Sequence, residues 1–386
     1  MKRTTGRYVK STTFNEVVSA FVPDPLPPKP EIQISSEMKI ALELANKHLQ
    51  SLNLLSELLP PNWIDWIVYG FARKEAVLSS QIEGTQASLE DIFKYEADEK
   101  SKLPFDDVRE VCNYLDALKY AEKELSSPNG LPISLRLMKE MHKRLMKGVR
   151  GDKKTPGEFR KTQNWIGGTR PGNAKFVPPP VIEMNECLKD LEKFIHEKNV
   201  DIGPLIKTAL IHVQFETIHP FLDGNGRIGR LLITLLLKVY GNLVSSTLYL
   251  SLFFKRQRRE YYDLLDAVRT DGEWEEWVMY FLEGISVIAD EASKTAQALF
   301  KIYGDDYTKL IDTTKMNTTT MRVFDLLPKH PILTVARVVE LLETTKPTAM
   351  LAMKALIKQG VLVEVTGRER NRMYVYKRFF EQLEKD

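Results

Sequence analysis

Apolar residues recur at intervals of three and four along most of this chain, so the pattern predicts a mainly helical protein. Ser35 to Leu59 is one such stretch, and after the Pro60-Pro61 break a second runs from Trp63 to Gly84. In that second stretch Ile67, Phe71, Leu78 and Ile82 share one face, with Gly84 placed to end the helix. Ser88 caps the next helix, and Asp91 three residues on completes a capping box in which Asp stands for Glu or Gln. Helical periodicity continues through Val108 to Leu125, Leu135 to Met146 and Ile182 to His196. Leu205, Ala209, Val213 and Phe215 mark a helix that should stop near His219, because Pro220 biases the preceding residue away from the α region. His219 is therefore expected on an exposed turn. Arg227 to Tyr240, rich in Leu and Ile and followed by Gly241, predicts a buried helix opened by Gly224-Asn225-Gly226.

The pattern changes in three places. Around Trp165 and Ile166 it alternates, and the Gly167-Gly168 and Pro171-Gly172 breakers follow, which predicts a short hairpin or irregular loop. Pro23 to Pro30 cannot form a regular helix and predicts an extended arm. Near the end, a helix after Gly284 to about Tyr303 gives way to a polar stretch, Asp312 to Thr320, that looks like a linker. Met321 to Leu327, Val335 to Leu342 and Thr348 to Gln359 then predict three helices, with Thr345-Lys346-Pro347 as a tight turn. Val361 to Val365 and Met373 to Tyr376 alternate like a hairpin about Gly367.

Candidate chemistry concentrates in His219-Pro220-Phe221-Leu222-Asp223-Gly224-Asn225-Gly226-Arg227-Ile228-Gly229-Arg230. Glycines on both sides of Asn225 let backbone approach a ligand, and a helix entrance adds free N–H groups and partial positive charge, which together suit phosphate. Arg227 and Arg230, three apart, are expected on one face, each able to clamp phosphate oxygens. Asp223 is a hard oxygen ligand suited to Mg²⁺ carried in on a nucleotide. His219, with an ordinary pKa of roughly 6.5, fits a general base. His212 and His142 are weaker candidates, better explained as a core or helix-face histidine, and neither is expected beside the phosphate turn.

This run resembles the Fic family signature, HPFx(D/E)GNGRxxR, at every specified position. The resemblance implies a helical Fic core with a short β-hairpin flap, and transfer of AMP from ATP to Ser, Thr or Tyr hydroxyls of target proteins, the chain itself included. It implies His219 as the base, Asn225 and Arg230 beside it in catalysis, and Asp223 as the Mg²⁺ ligand. ATP would be held by Glu83, His219, Gly224, Asn225, Gly226, Arg227, Ile228, Gly229, Arg230, Tyr262 and Ile166, the last two at the adenine. Phe221 would anchor the loop in the core. Gly226 argues against the Doc kinase branch, where a Lys replaces it. Ser79-Ser80-Gln81-Ile82-Glu83-Gly84 resembles the inhibitory motif (S/T)xxxE(G/N), which implies that Ser79 and Glu83 repress the site, Glu83 by pairing with Arg230. The first third resembles the N-terminal region of Fic proteins whose inhibitory helix lies in the same chain. The loop from Gly157 to Pro180 resembles the flap that covers the nucleotide and pairs with the target by strand addition. Two alternatives stay open: removal of AMP at the same site, and a DNA-binding regulator that senses nucleotide. The sequence does not choose ATP over another nucleoside triphosphate.

Composition changes little of this. At 386 residues and 43% hydrophobic the chain has room for two or three domains, expected at 1–100, 101–311 and 312–386. The tail, three helices and a hairpin, resembles a winged helix-turn-helix, which implies either DNA binding, with Thr348 to Lys358 in the major groove and Arg368, Arg370 and Arg372 at the wing, or a protein-docking or dimer module. A net charge of +3 gives no strong hint of nucleic acid by itself. Cys112 and Cys187 lack ligand-like spacing, which predicts neither disulfide scaffold nor zinc site. Met1 to Phe14 is basic and polar, unlike a secretory signal, and Leu231 to Leu237 is too short to cross a bilayer. A cytoplasmic protein with no membrane segment, and with a homodimer left open, is the expectation.

Overall fold

Strands β1 (Gly6–Thr13) and β2 (Glu16–Pro23) pair antiparallel from Gly6 opposite Pro23 to Thr13 opposite Glu16. The basic, polar character of Met1 to Phe14 predicts no element there. The usable signal is local: β-branched Thr12, Thr13, Val17 and Val18 flank Asn15, which adopts φ 63°. These strands belong to a computed structural model that describes residues 3–13, 15–98, 106–149, 154–198, 202–312, 317–368 and 371–385.

Helices follow almost without interruption. Ser35 caps α1 (Ser36–Leu58), its hydroxyl accepting from the Met38 N–H at 3.1 Å. Proline opens α2 (Pro61–Ile82), which ends at Glu83 with Gly84 at φ +98°. The expected capping box of Ser88 and Asp91 starts α3 (Leu89–Ala97). Next come α4 (Asp106–Ser126), α5 (Leu135–Leu145) and α6 (Val181–His196). The centre of the fold is α7 (Pro204–Ile218), buried on all sides from Leu205 onward, with α8 (Asn225–Val239) packed against it. Around them run α9 (Ser251–Arg256), α10 (Arg258–Asp271) and α11 (Trp274–Ile311).

With 38 residues, α11 is about 57 Å long and lies along α1. A helix was expected only after Gly284. Gly284 instead lies inside α11, where a Cβ would meet the Phe253 ring at 2.7 Å, so it marks a close packing contact and not a start. The Trp277 indole N–H donates to the Ala209 carbonyl at 2.9 Å and ties α11 to α7.

A small α/β unit closes the chain: α12 (Thr318–Leu326), β3 (Ile332–Thr334), α13 (Val335–Leu342), α14 (Lys346–Lys358), β4 (Val363–Glu364), β5 (Met373–Val375) and α15 (Lys377–Glu384). Its sheet runs β3-β5-β4, all antiparallel. The expected hairpin is β4 and β5; β3 and α15 were not foreseen. The expected linker is corrected in part, because Asn317 already caps α12, while residues 313–316 lie outside the described residues. Lys346-Pro347 is no separate turn but the first turn of α14, capped by Thr345. Of the three wing arginines, Arg368 and Arg372 are exposed and Arg370 lies outside the described residues.

This unit shares one continuous core with the rest, and it holds α2 from behind. Leu383 of α15 lies against Gly70, where an added Cβ would sit 3.0 Å from it. The buried Lys74 ammonium donates to the carbonyls of Lys385 at 2.6 Å and Leu383 at 3.4 Å, as a cation at a helix C-terminus should. His330 stands edge-on to Tyr69, and Thr334 donates to the Ala97 carbonyl. No helix among the described residues is long and apolar enough to cross a membrane.

Candidate active site

The loop between α7 and α8 is set by residues that fix its backbone. His219 ends α7 in the left-handed region, φ 49° and ψ 60°. Pro220 does exclude the right-handed helix, but the turn is not exposed: His219 is half-buried. The reason is the 159–164 segment lying over it. Buried Arg160 donates to the His219 carbonyl at 3.0 Å and its N–H to the Pro220 carbonyl at 2.9 Å, while Asn164 donates to the Phe221 carbonyl at 2.9 Å. The His219 Nδ1–H faces the Glu216 carbonyl at 3.3 Å, which leaves Nε2 as the free base. Burial, with Arg160 adding to it, lowers the ring to a pKa of about 4, so it is neutral at physiological pH. A nuclear magnetic resonance titration of His219 should accordingly show no protonation between pH 8 and 5.5. A midpoint near 6.5 would mean that the ring titrates in open solvent.

Phe221 is fully buried, as expected of an anchor. His142 stacks on it with centroids 3.8 Å apart, accepts from the Gly157 N–H on Nδ1 at 2.9 Å, and donates from Nε2 to the Asp223 carbonyl at 3.0 Å. The expectation that His142 lies away from the phosphate turn is therefore wrong: α5 crosses directly under the loop. Burial lowers its pKa to about 4, so this histidine supports the loop in its neutral form. His212 is the satisfied core histidine expected, accepting from the Tyr261 hydroxyl at 2.8 Å. Asn225 is buried, and its amide both accepts from the Phe221 N–H and donates to the Phe221 carbonyl, each at 2.8 Å. That side chain pins the loop; what it presents outward is backbone.

Gly224, at φ +77°, opens α8 and donates to Asp223 Oδ1 at 2.7 Å. Its left-handed backbone favours glycine, and an added Cβ would crowd the Met146 sulfur at 3.0 Å. The N–H groups of Asn225, Gly226 and Arg227 form the first turn and have no helical acceptor. A carboxylate already lies across this entrance. Glu83 Oε1 would sit 2.2 Å from a Cβ on Gly226, and it accepts from Arg230 at 2.7 Å. Arg230 is 1% exposed and also donates to the Ser79 hydroxyl and carbonyl, both at 2.9 Å. Burial works against the Glu83 charge, but Arg230 outweighs it and holds the carboxyl below its ordinary range.

The two arginines diverge, contrary to the expectation of a shared clamp. Arg227 turns to buried Glu110 of α4 at 2.9 Å, while its other terminal nitrogen lies 3.7 Å from Asp223. Glu110 also accepts from Thr85, just past the end of α2, at 3.2 Å. Asp223 meets Lys154 at 2.9 Å on the rim. Glu110, Lys154 and Arg160 were missed by sequence reading, since each reaches the loop from far along the chain and none has a distinctive neighbourhood. No cluster of three or more metal-type side chains occurs among the described residues, so a cation at Asp223 would draw much of its shell from ligand oxygens and water.

Two walls rise above the entrance. One is the 157–180 segment, in which Ile166 and Phe176 exchange N–H···O bonds of 2.8 and 3.1 Å, a single antiparallel bridge where a short hairpin or irregular loop was expected. The N-terminal hairpin extends it, Phe21 donating to the Val177 carbonyl at 2.9 Å and Glu16 accepting from Arg170 and the Gly172 N–H. The other wall is α10. Tyr262 is half-buried there, and burial first, then the Glu83 charge, pushes its hydroxyl up to about 12. Lys175 and Asp266 join the walls at 2.5 Å, and Arg269 lies over the Phe176 ring.

A Fic/DOC family model matches residues 132–237, which include the whole loop, and a Fic/DOC N-terminal model matches residues 40–123, which include α2. This chain is a Fic/DOC family protein. The protein adenylyltransferase Fic of Culex quinquefasciatus is 30% identical to this Fic/DOC protein over 224 residues, 55% of this chain and 41% of the relative. A probable protein adenylyltransferase of Aquifex aeolicus is 30% identical over 192 residues, 48% and 53% of the two. The chain thus spans about half or less of these relatives. Among solved structures, a Fic family protein from Desulfovibrio desulfuricans G20 superposes with a TM-score of 0.56 over 89% of this chain and 97% of that one, at 19% identity. Residues 134–508 of Fic-1 from C. elegans superpose with a TM-score of 0.52 over 68% and 73%, at 20% identity. The fold is shared by both, over most of the chain in the longer match.

Proposed function

We propose that this protein transfers AMP from ATP to a hydroxyl of a target protein, itself included, and that Glu83 holds the site closed. The observation that carries this reading is the Glu83 carboxylate lying at the α8 entrance on Arg230, because an acid placed where helix N–H groups and a guanidinium converge occupies the berth of a phosphate. When Glu83 turns away, the first-turn N–H groups of Asn225 and Gly226 receive the α-phosphate, Arg227 the β-phosphate and Arg230 the γ-phosphate. Ile228 and Gly229 continue the same turn behind them. Neutral His219 takes the hydroxyl proton on Nε2 as the oxygen attacks the α-phosphorus. The bond to the bridging oxygen breaks and pyrophosphate leaves. Asp223, exchanging Lys154 for a cation, suits Mg²⁺ bound to the phosphates, which would neutralise their charge. Tyr262 and Ile166 face the adenine from opposite walls. The division into an inhibitory region at 1–100, a catalytic region at 101–311 and a winged-helix tail at 312–386 accords with the placement of α2 and with the tail's three-stranded sheet.

Incubating the full chain with ATP and Mg²⁺, with mass spectrometry of the intact protein and its peptides, tests this. The expected product carries a single AMP on a Ser, Thr or Tyr. A protein that gains no mass in the Glu83→Gly form, or gains phosphate alone, rules the reaction out.

A further inference from the structure

Glu216, on the last turn of α7, is buried, yet its Oε1 has no hydrogen-bond partner among the described residues. An orphaned buried acid lowers stability by about 1–3 kcal/mol, and such groups persist where a ligand completes them. Burial pushes this carboxyl up to about 7, so a modest gain in hydrogen bonding is enough to ionise it. Its position is defined by a glycine. A Cβ on Gly229 would lie 2.2 Å from Glu216 Oε1, as a Cβ on Gly226 would from Glu83 Oε1. Gly226 and Gly229 therefore form a side-chain-free strip along one face of α8, and each admits a carboxylate. Arg230, Glu83, Tyr261 and Arg269 make up the charged and polar surroundings of Glu216, and Tyr262 feels its charge from the α10 wall.

We propose that Glu216 is the specificity residue for the sugar of the donor nucleotide, its carboxylate accepting hydrogen bonds from the ribose 2′- and 3′-hydroxyls. This rests on the nucleotide reading above. Three points of that reading select the ribose. The phosphates belong to Gly226 and Arg230, and a carboxylate repels them. The base belongs to the aromatic and aliphatic walls of Tyr262 and Ile166. One helical step from Gly226 to Gly229 covers about 4.5 Å, the reach from a phosphate to the adjoining sugar, and a carboxylate that only accepts is matched by a vicinal diol that donates twice. Gly229 is then a positioning residue that leaves room for Glu216.

The test uses the full chain carrying Glu83→Gly and His219→Ala, which opens the phosphate berth and prevents transfer. Calorimetric titration with ATP, 2′-deoxyATP and 3′-deoxyATP should give at least about tenfold weaker binding for each deoxy form, since a site built for a hydroxyl rejects its absence. Adding Glu216→Leu should bring all three nucleotides within about twofold of one another, with Glu216→Gln in between because its amide still accepts one hydrogen bond. Thermal melts confirm that each variant is folded, and the Gln form stands alone if the Leu form is not. Equal binding of ATP and the deoxy forms by the parent overturns the assignment. So does unchanged discrimination in the Gln and Leu forms, or an equal weakening of all three nucleotides. A parent that binds none of the three refutes the nucleotide reading itself.

Discussion

Glu83→Gly is expected to raise incorporation of label from α-labelled ATP by tenfold or more over the unaltered protein. The reason is competition for one guanidinium. A preference of about 1.4 kcal/mol for the Glu83 pairing hides nine-tenths of the open state, and the pairing observed is short, at 2.7 Å, with Arg230 almost completely enclosed. The same substitution leaves Arg230 buried beside Ser79 without its charged partner, so it should also lower unfolding stability by about 3 kcal/mol, the smaller end for a broken buried pair because Glu83 itself is one-third exposed. ATP should then restore more of the melting temperature in the variant than in the parent, since only there does the triphosphate replace the lost carboxylate. Label incorporation no higher than in the parent would refute the inhibitory role.

His219→Ala, placed in that activated background, should reduce label transfer by about a thousandfold, within the range for loss of a positioned general base, while ATP binding stays within about threefold. Binding is retained because the imidazole contributes no contact to the phosphate berth: its Nδ1–H is turned to the Glu216 carbonyl, and the loop is held by Arg160, Asn164 and Asn225 through backbone groups that alanine keeps. Equal loss of binding and transfer would mean that His219 shapes the loop instead of moving a proton.

Much of this site was legible in the sequence because its parts are contiguous. The turn, its glycines and the flanking helices lie within a dozen residues, and their spacing specifies a helix entrance whatever packs around it. Glu83 was legible for a different reason, the resemblance of Ser79 to Gly84 to the inhibitory motif; the four-residue spacing alone places Ser79 and Glu83 on one helix face without pointing to Arg230. What the residues could not give was the support. Glu110, Arg160 and His142 reach the loop from the α4, 157–180 and α5 segments through contacts that only the folded chain defines. The divergence of Arg227 and Arg230 has the same origin, since helical spacing sets where side chains leave the backbone and not which distant acid each one meets. The N-terminal strands are not visible in the basic, polar character of Met1 to Phe14, because a hairpin is written in alternate residues and one turn. Gly284 shows the converse error: a glycine read as punctuation proved to be a place where the Phe253 ring comes close.

On the proposed reading, the anchoring of α2 from behind determines how repression by Glu83 would be lifted. Gly70 and Lys74 tie its middle to the C-terminal α15, Tyr69 contacts His330, and its buried face runs from Trp66 to Ile82. Sliding that helix away would uncover its buried face and expose a lysine charge, whereas swinging the Glu83 side chain, already one-third in water, breaks a single ion pair. On the proposed reading the gate is one rotating side chain on a fixed post, and an activating partner would have only to compete for a carboxylate, without moving a domain.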